Sequence, residues 1–176
     1  MNKEELDYGV IDDFLPQKEF EIFQSVIMKP SNISNENTIG WEYQSTVTGN
    51  DNPNDWKYFY MMHMIYIHSF VFSPILYEKV TPILIELDIK ALIRIKCNMY
   101  PNTEKVHEHG EHADYSWKHK TALFSLNTCD GYTKLEDGTK IDSVANRMLL
   151  FDGSKLHCSS TCTDQPVRVN INFNYF

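Results

Sequence analysis

"RVNINFNYF", residues 168–176, decides how this chain is to be read. Successive side chains of a strand point to opposite faces, so Arg168, Asn170, Asn172 and Asn174 share one face. Val169, Ile171, Phe173 and Tyr175 share the other. The apolar row calls for a core. The polar row either meets solvent or lines the polar interior of an open barrel, and the period of two does not choose between them.

The same alternation recurs upstream. "LIRIKCNMY" (92–100) sets Arg94, Lys96, Asn98 and Tyr100 against Ile93, Ile95, Cys97 and Met99. "TALFSLN" (121–127) sets Thr121, Leu123, Ser125 and Asn127 against Ala122, Phe124 and Leu126. "NRMLLFD" (146–152) is a mostly apolar run that suits a buried strand. Turn-forming stretches, "TCDGYT", "EDGTK" and "CTDQP", separate these segments.

The first half reads differently. "DDFLPQKEFEIFQSVIM" (12–28) predicts a helix, with Pro16 in its first turn and Phe20, Phe23, Val26 and Ile27 on one stripe. "SNISNEN" (31–37) and "TGNDNPND" (48–55) predict loops, with a strand in "IGWEYQSTV" between them. Residues 68–87 read as helical, interrupted at Pro74 and Pro82. His63 and His68 are expected to be packed, hydrogen-bonded core histidines. Helices followed by short strands predict a mainly β fold, an antiparallel sandwich or jelly roll packed on N-terminal helices. At 176 residues, one domain is expected, with a helical support region over about 1–90 and a barrel core over about 91–176.

Composition narrows the function. A net charge of −8 argues against a broad nucleic-acid surface but leaves room for a small anion held by one or two local cations. The apolar stretch at 61–72 is too short and too polar for a membrane span. The opening "MNKEELDYGV" lacks a basic n-region and an apolar h-region, so a cytoplasmic chain is expected. Cys97, Cys129, Cys158 and Cys162 form no CxxC pair and are read as reduced thiols.

The chemistry concentrates in "HEHGEHADY" (107–115). Two H-x-[DE] pairs, His109 with Glu111 and His112 with Asp114, each place an imidazole beside a carboxylate on one strand face. A distant histidine would complete a two-histidine, one-carboxylate set, which leaves adjacent positions of an iron ion open for a chelating cosubstrate and O2. His157 is the histidine of the C-terminal strand region. Arg168, at the start of the last alternating segment, offers a guanidinium for the far carboxylate of such a chelator. A solvated His/Glu loop is the plainer reading of 107–114 alone. The distant histidine and arginine favour the metal site.

Taken in order, "CNMYP", "HAD", "TALFSLNTCDGYTKLEDG", "NRMLLFD", "LH" and "RVNINFNYF" resemble the Fe(II)- and 2-oxoglutarate-dependent oxygenases of the prolyl 4-hydroxylase-like branch. "VIDDFLPQKEFEIFQSV" is similar to that family's opening strand and helix, and the chain resembles small members from phages and marine bacteria. The resemblance implies a double-stranded β-helix, a jelly-roll or cupin-like barrel with the active site inside. It implies iron ligands His112, Asp114 and His157, Arg168 on the 2-oxoglutarate C5 carboxylate, and Tyr100 beside the cosubstrate. It further implies hydroxylation of a C–H bond, with prolyl residues of peptides as the family default, release of succinate and CO2, and ascorbate as a possible helper. His109 and Glu111 stand as the alternative ligand pair.

Three other readings compete with this one. A dizinc hydrolase fits "HEHGEH" superficially but needs more ligands. A cupin-like binding domain gives Arg168 no role, and the complete ligand set counts against a virion-associated module on an oxygenase scaffold. A nucleobase demethylase would carry a second arginine where this chain has Asn174.

Overall fold

The computed structural model describes residues 8–28, 39–49 and 51–176; the loop expected at 31–37 and the first seven residues lie outside them. The elements run β1 (Tyr8–Ile11), α1 (Gln17–Met28), β2 (Glu42–Gln44), β3 (Tyr60–Ile67), β4 (Phe70–Val71), α2 (Pro74–Glu86), β5 (Leu92–Pro101), β6 (Lys120–Ser125), β7 (Tyr132–Leu135), β8 (Lys140–Asp142), β9 (Arg147–Asp152), β10 (His157–Ser159) and β11 (Val167–Tyr175). A short 3-10 turn, Trp56–Tyr58, precedes β3.

Two antiparallel sheets form. The large one is ordered β1-β9-β6-β11-β5-β3-β2, with β4 on β3, and the small one β10-β7-β8. The two alternating segments read first from the sequence lie side by side at the centre: β11 pairs β5 with Arg168 opposite Tyr100, Asn170 opposite Asn98 and Asn172 opposite Lys96. Their apolar rows meet the helices. Ile95, Cys97, Val169, Ile171 and Phe173 share one core with Phe20, Phe23 and Ile27 of α1 and with Leu76, Val80 and Ile83 of α2. Phe124 of β6 anchors it, with Phe14, Phe20 and Phe23 rings at 5.8, 5.9 and 6.1 Å. Full burial of each such side chain contributes about 1.5–3 kcal/mol.

The polar rows turn inward, toward the small sheet. Asn170, Asn172 and Asn174 are 1, 7 and 0% exposed, so the alternative left open by the period resolves to a barrel interior. Leu123, Leu135, Leu149 and Phe151 make a second, smaller apolar cluster. Asn146 fixes the entry to α1. It adopts a left-handed conformation (φ 63°), which Asn tolerates better than most residues, and its amide exchanges hydrogen bonds with the Leu15 backbone at 2.9 and 2.8 Å.

Two expectations for the first half are corrected. Residues 68–73 are not helical: β3 and β4 form a hairpin whose two-residue loop, His68–Ser69, has positive φ at both positions (49° and 67°). That is the type I′ pattern whose twist matches paired strands. Pro74 therefore starts α2 rather than interrupting it, and Pro82 is carried inside the helix. His68 is exposed in the turn, not packed in a core, whereas His63 is half-buried with Nδ1 2.7 Å from the Gly40 carbonyl. Strands β1 to β4 also show that the large sheet draws on both halves of the chain.

Candidate active site

His112 lies just outside a named strand, yet its backbone is pinned across the barrel. His112 N–H donates to the His157 carbonyl and His157 N–H to the His112 carbonyl, both at 2.9 Å. The two side chains meet with ring centroids 4.7 Å apart. Asp114 is tied in by its N–H, which donates to the Gly153 carbonyl at 3.0 Å. One ligand atom each from His112, Asp114 and His157 lies within 4.8 Å of the others, and no other such group occurs among the described residues.

The tautomers follow from the partners. Nδ1 of His112 faces the Gly110 carbonyl at 3.3 Å, and Nδ1 of His157 faces the Lys155 carbonyl at 3.0 Å. A carbonyl only accepts, so Nδ1 carries the hydrogen in each ring and Nε2 keeps its lone pair for a metal. Burial lowers the His112 pKa, helped by the neighbouring His157, which keeps the ring neutral.

Asp114 supplies the negative donor. Its Oδ1 accepts from Arg94 Nη2 at 2.7 Å. Its Oδ2 accepts from Asn174 at 2.8 Å, Asn172 at 3.2 Å and Thr121 at 3.3 Å. Burial alone would raise its pKa. Arg94, His157 and the two amides outweigh that and hold the carboxyl well below the usual range. Two nitrogens and one carboxylate oxygen, with the remaining positions free, suit a ferrous ion.

Arg168 lies four residues from Asn172 along β11, on the same face and toward the far end of the cavity, and is 1% exposed. Its Nη1 donates to the Ser160 carbonyl at 3.1 Å and its Nη2 to Thr133 Oγ1 at 2.9 Å, while Nε has no partner. It stands 5.5 Å from the Tyr100 ring. Among the described residues it forms no ion pair. A fully buried guanidinium without an anion is costly, and a carboxylate entering the cavity would supply the missing charge. Gly131 makes room for it: a Cβ there would stand 2.8 Å from Arg168 Cδ and 2.7 Å from the Thr161 carbonyl.

The space between these two ends is a cavity lined by the triad together with Tyr60, Lys96, Asn98, Tyr100, Leu123, Thr133, Phe151, Ser159, Asn170 and Asn172. Asn98 Oδ1, Asn170 Nδ2 and Asn172 Oδ1 are buried without partners, as expected of walls that hydrogen-bond to an occupant. A wider hollow of about 570 Å³, lined by Tyr8, Phe14, Leu87 and Lys118, lies elsewhere and contains none of the triad.

The structure thus brings His112, Asp114 and His157 together, with Tyr100 and Arg168 adjacent to each other at the far end. His109 does not join the donor group. Its Nδ1 is 2.9 Å from Ser159 Oγ, its ring lies 5.2 Å from that of Tyr100, and burial pulls its pKa down to about 4. Glu111 is exposed, 3.4 Å from Lys134. Sequence reasoning placed Arg94 and Lys96 on the polar face of β5 but gave them no role, and it missed Tyr60, Thr133 and Ser159. The four cysteines are free and buried, in line with the reduced-thiol reading. No helix among the described residues is long and apolar enough to cross a membrane.

No family model matches the chain, and no curated protein does. Solved structures do. An oxidoreductase of the 2OG-Fe(II) oxygenase family from Burkholderia pseudomallei superposes with a TM-score of 0.71 at 10% identity, covering 97% of this chain and 85% of that one. The non-heme α-ketoglutarate-dependent epimerase of nogalamycin biosynthesis gives 0.60 at 10% identity, covering 97% and 77%. A prolyl-4-hydroxylase from Pseudomonas putida gives 0.57 at 11% identity, covering 96% and 92%. The resemblance carried by the sequence motifs therefore holds at the level of the fold: this chain has the double-stranded β-helix of the 2-oxoglutarate- and Fe(II)-dependent oxygenases, prolyl 4-hydroxylases among them.

Proposed function

We propose that this protein is a non-haem Fe(II)- and 2-oxoglutarate-dependent dioxygenase that hydroxylates a C–H bond. One observation carries the reading: a two-histidine, one-carboxylate donor group shares a barrel interior with a buried arginine that lacks an anion. His112 and His157 would hold the metal through Nε2 and Asp114 through its carboxylate, which Arg94 and the asparagine amides keep ionised and oriented. Arg168 would take the distal carboxylate of 2-oxoglutarate, with Tyr100 and Thr133 flanking it. Leu123 and Phe151 give the cavity an apolar wall that helps exclude water. Iron and 2-oxoglutarate, when bound, supply the activation of O2, with succinate and CO2 released. Proline, within a peptide or as the free amino acid, is the first substrate to test, and the site of action would be the cytoplasm.

The test is anaerobic binding of Fe(II) and then 2-oxoglutarate, followed by succinate measurement on admitting air. The reading expects iron binding to be lost in His112→Ala and Asp114→Ala, and 2-oxoglutarate binding to be lost in Arg168→Ala. Wild-type protein that takes zinc but no 2-oxoglutarate, or takes no metal, would sink it in favour of a binding module on the same scaffold.

A further inference from the structure

The barrel interior carries more positive charge than its proposed occupants would neutralise. Lys96 of β5 lines the cavity, and Arg94 of β5 and Arg168 of β11 are bonded to its wall through Asp114 and Thr133. Asp114 is the one carboxylate among the cavity-lining residues, and Arg94 already pairs with it at 2.7 Å. A ferrous ion and a 2-oxoglutarate dianion together add no net charge. Arg168 is placed for the distal carboxylate, which leaves Lys96 without a counterpart.

Lys96 is poorly satisfied as it stands. An ammonium has three N–H donors. Its hydrogen bond in this structure is a long one, to Tyr60 Oη at 3.3 Å, and Nζ sits 5.2 Å from the centre of the same ring. Among the described residues it makes no ion pair. Burial, reinforced by the Arg94 charge, pulls its pKa down to about 8, so the ammonium persists near neutral pH but is poorly compensated where it stands. Tyr60 is itself fixed, stacked on Tyr100 with centroids 5.7 Å apart. Burial raises its hydroxyl to about 12, so it remains a donor near neutral pH.

Position separates this cation from the cosubstrate end. Lys96 lies opposite Asn172, whereas Tyr100 lies opposite Arg168. At about 3.3 Å per residue, four strand positions put their Cα atoms about 13 Å apart. A five-carbon diacid reaching from Arg168 to the triad would leave Lys96 free on the β3 side of the cavity, beside Tyr60.

Resting on the oxygenase reading, we infer that the Lys96 ammonium, steadied by Tyr60, receives a carboxylate of the substrate. The substrate is then a small carboxylic acid, such as a free amino acid, rather than a neutral compound or the interior of a peptide chain. The acid enters with its carboxylate on Lys96 and presents a nearby C–H bond to the metal position.

The experiment uses full-length protein loaded anaerobically with Fe(II) and 2-oxoglutarate. Free amino acids are titrated calorimetrically against their primary amides, with L-proline and L-prolinamide as the first pair. Wild type is expected to prefer at least one acid over its amide by about tenfold or more, and Lys96→Met to reduce that preference to within about threefold. Lys96→Arg should keep it, and Lys96→Gln replaces the Met variant if that one does not fold. Affinity for 2-oxoglutarate should change by less than about threefold in Lys96→Met. A loss of about tenfold there would assign Lys96 to the cosubstrate and overturn the inference. Equal binding of acids and amides by wild type, or a preference that survives in Lys96→Met, would also overturn it. Failure of wild type to bind Fe(II) or 2-oxoglutarate would overturn the oxygenase reading as well, and it would be seen in the loading step before any acid is added.

Discussion

His109 should make this fold acid-sensitive by a calculable amount. The ring is 3% exposed, with Nδ1 on Ser159 and Nε2 without a partner. Burial is the main reason its pKa falls from 6.5 to about 4, with the Arg168 charge acting in the same direction. Between those values the unfolded chain binds a proton that the folded chain refuses, so stability is complete above about pH 6.5 and is lost as pH falls toward 4. At about pH 5 the linkage amounts to about 2 kcal/mol relative to neutral pH. His107 and His112 are shifted the same way, so wild type alone would not isolate the effect. His109→Gln keeps a donor for Ser159 and cannot titrate. Urea denaturation of both proteins at about pH 7.5 and about pH 5 should show wild type losing about 2 kcal/mol more than the variant. Equal losses would mean that His109 is not buried as a neutral ring, and the packing of the 107–111 segment on Tyr100 would have to be redrawn.

Other residues give further tests. Gly131→Ala forces a Cβ against the Thr161 carbonyl and Arg168 Cδ, and should cost about 1–3 kcal/mol in thermal denaturation while weakening 2-oxoglutarate binding. Phe124→Ala opens the core where three rings converge and should cost about 3–5 kcal/mol, read from urea unfolding. Glu108 accepts from Lys134 and Tyr132, each at 2.7 Å, and these contacts hold its pKa down at about 2. Glu108→Gln should therefore be less stable than wild type above about pH 4.5, with the two converging as pH falls toward 2. Arg168→Met should stay folded, with stability changed by no more than about 2 kcal/mol, because removing an unpaired buried cation offsets the lost hydrogen bonds.

Where the pattern was periodic, the sequence could be read directly. β5, β6 and β11 each bury one row of side chains and turn the other inward, so alternation named the correct residues for each face. It could not say that the inward face avoids water, because Asn is at home on a surface and inside a polar barrel alike. β3 escaped notice for the opposite reason: "YMMHMIYI" is apolar or aromatic on both faces and carries no period. Its hairpin turn was hidden as well, because His68 and Ser69 take up left-handed angles without a glycine or asparagine to announce them. The proposed ligand set was visible as residue types, but the Arg94–Asp114 pair was not. Register sets Arg94 opposite Asn174, whose amide also holds Asp114, and that register is fixed only when the whole sheet assembles.

The reciprocal backbone bonds between His112 and His157 bear on how the proposed site would exchange a metal. They close a 45-residue excursion of the chain with main-chain groups, so backbone hydrogen bonds hold the two rings facing each other. On the proposed reading, metal loading would then be a ligand-exchange event at a finished socket, not a folding event. Chelators should empty the site on the timescale of metal dissociation, and the amide protons of both histidines should exchange with solvent equally slowly before and after.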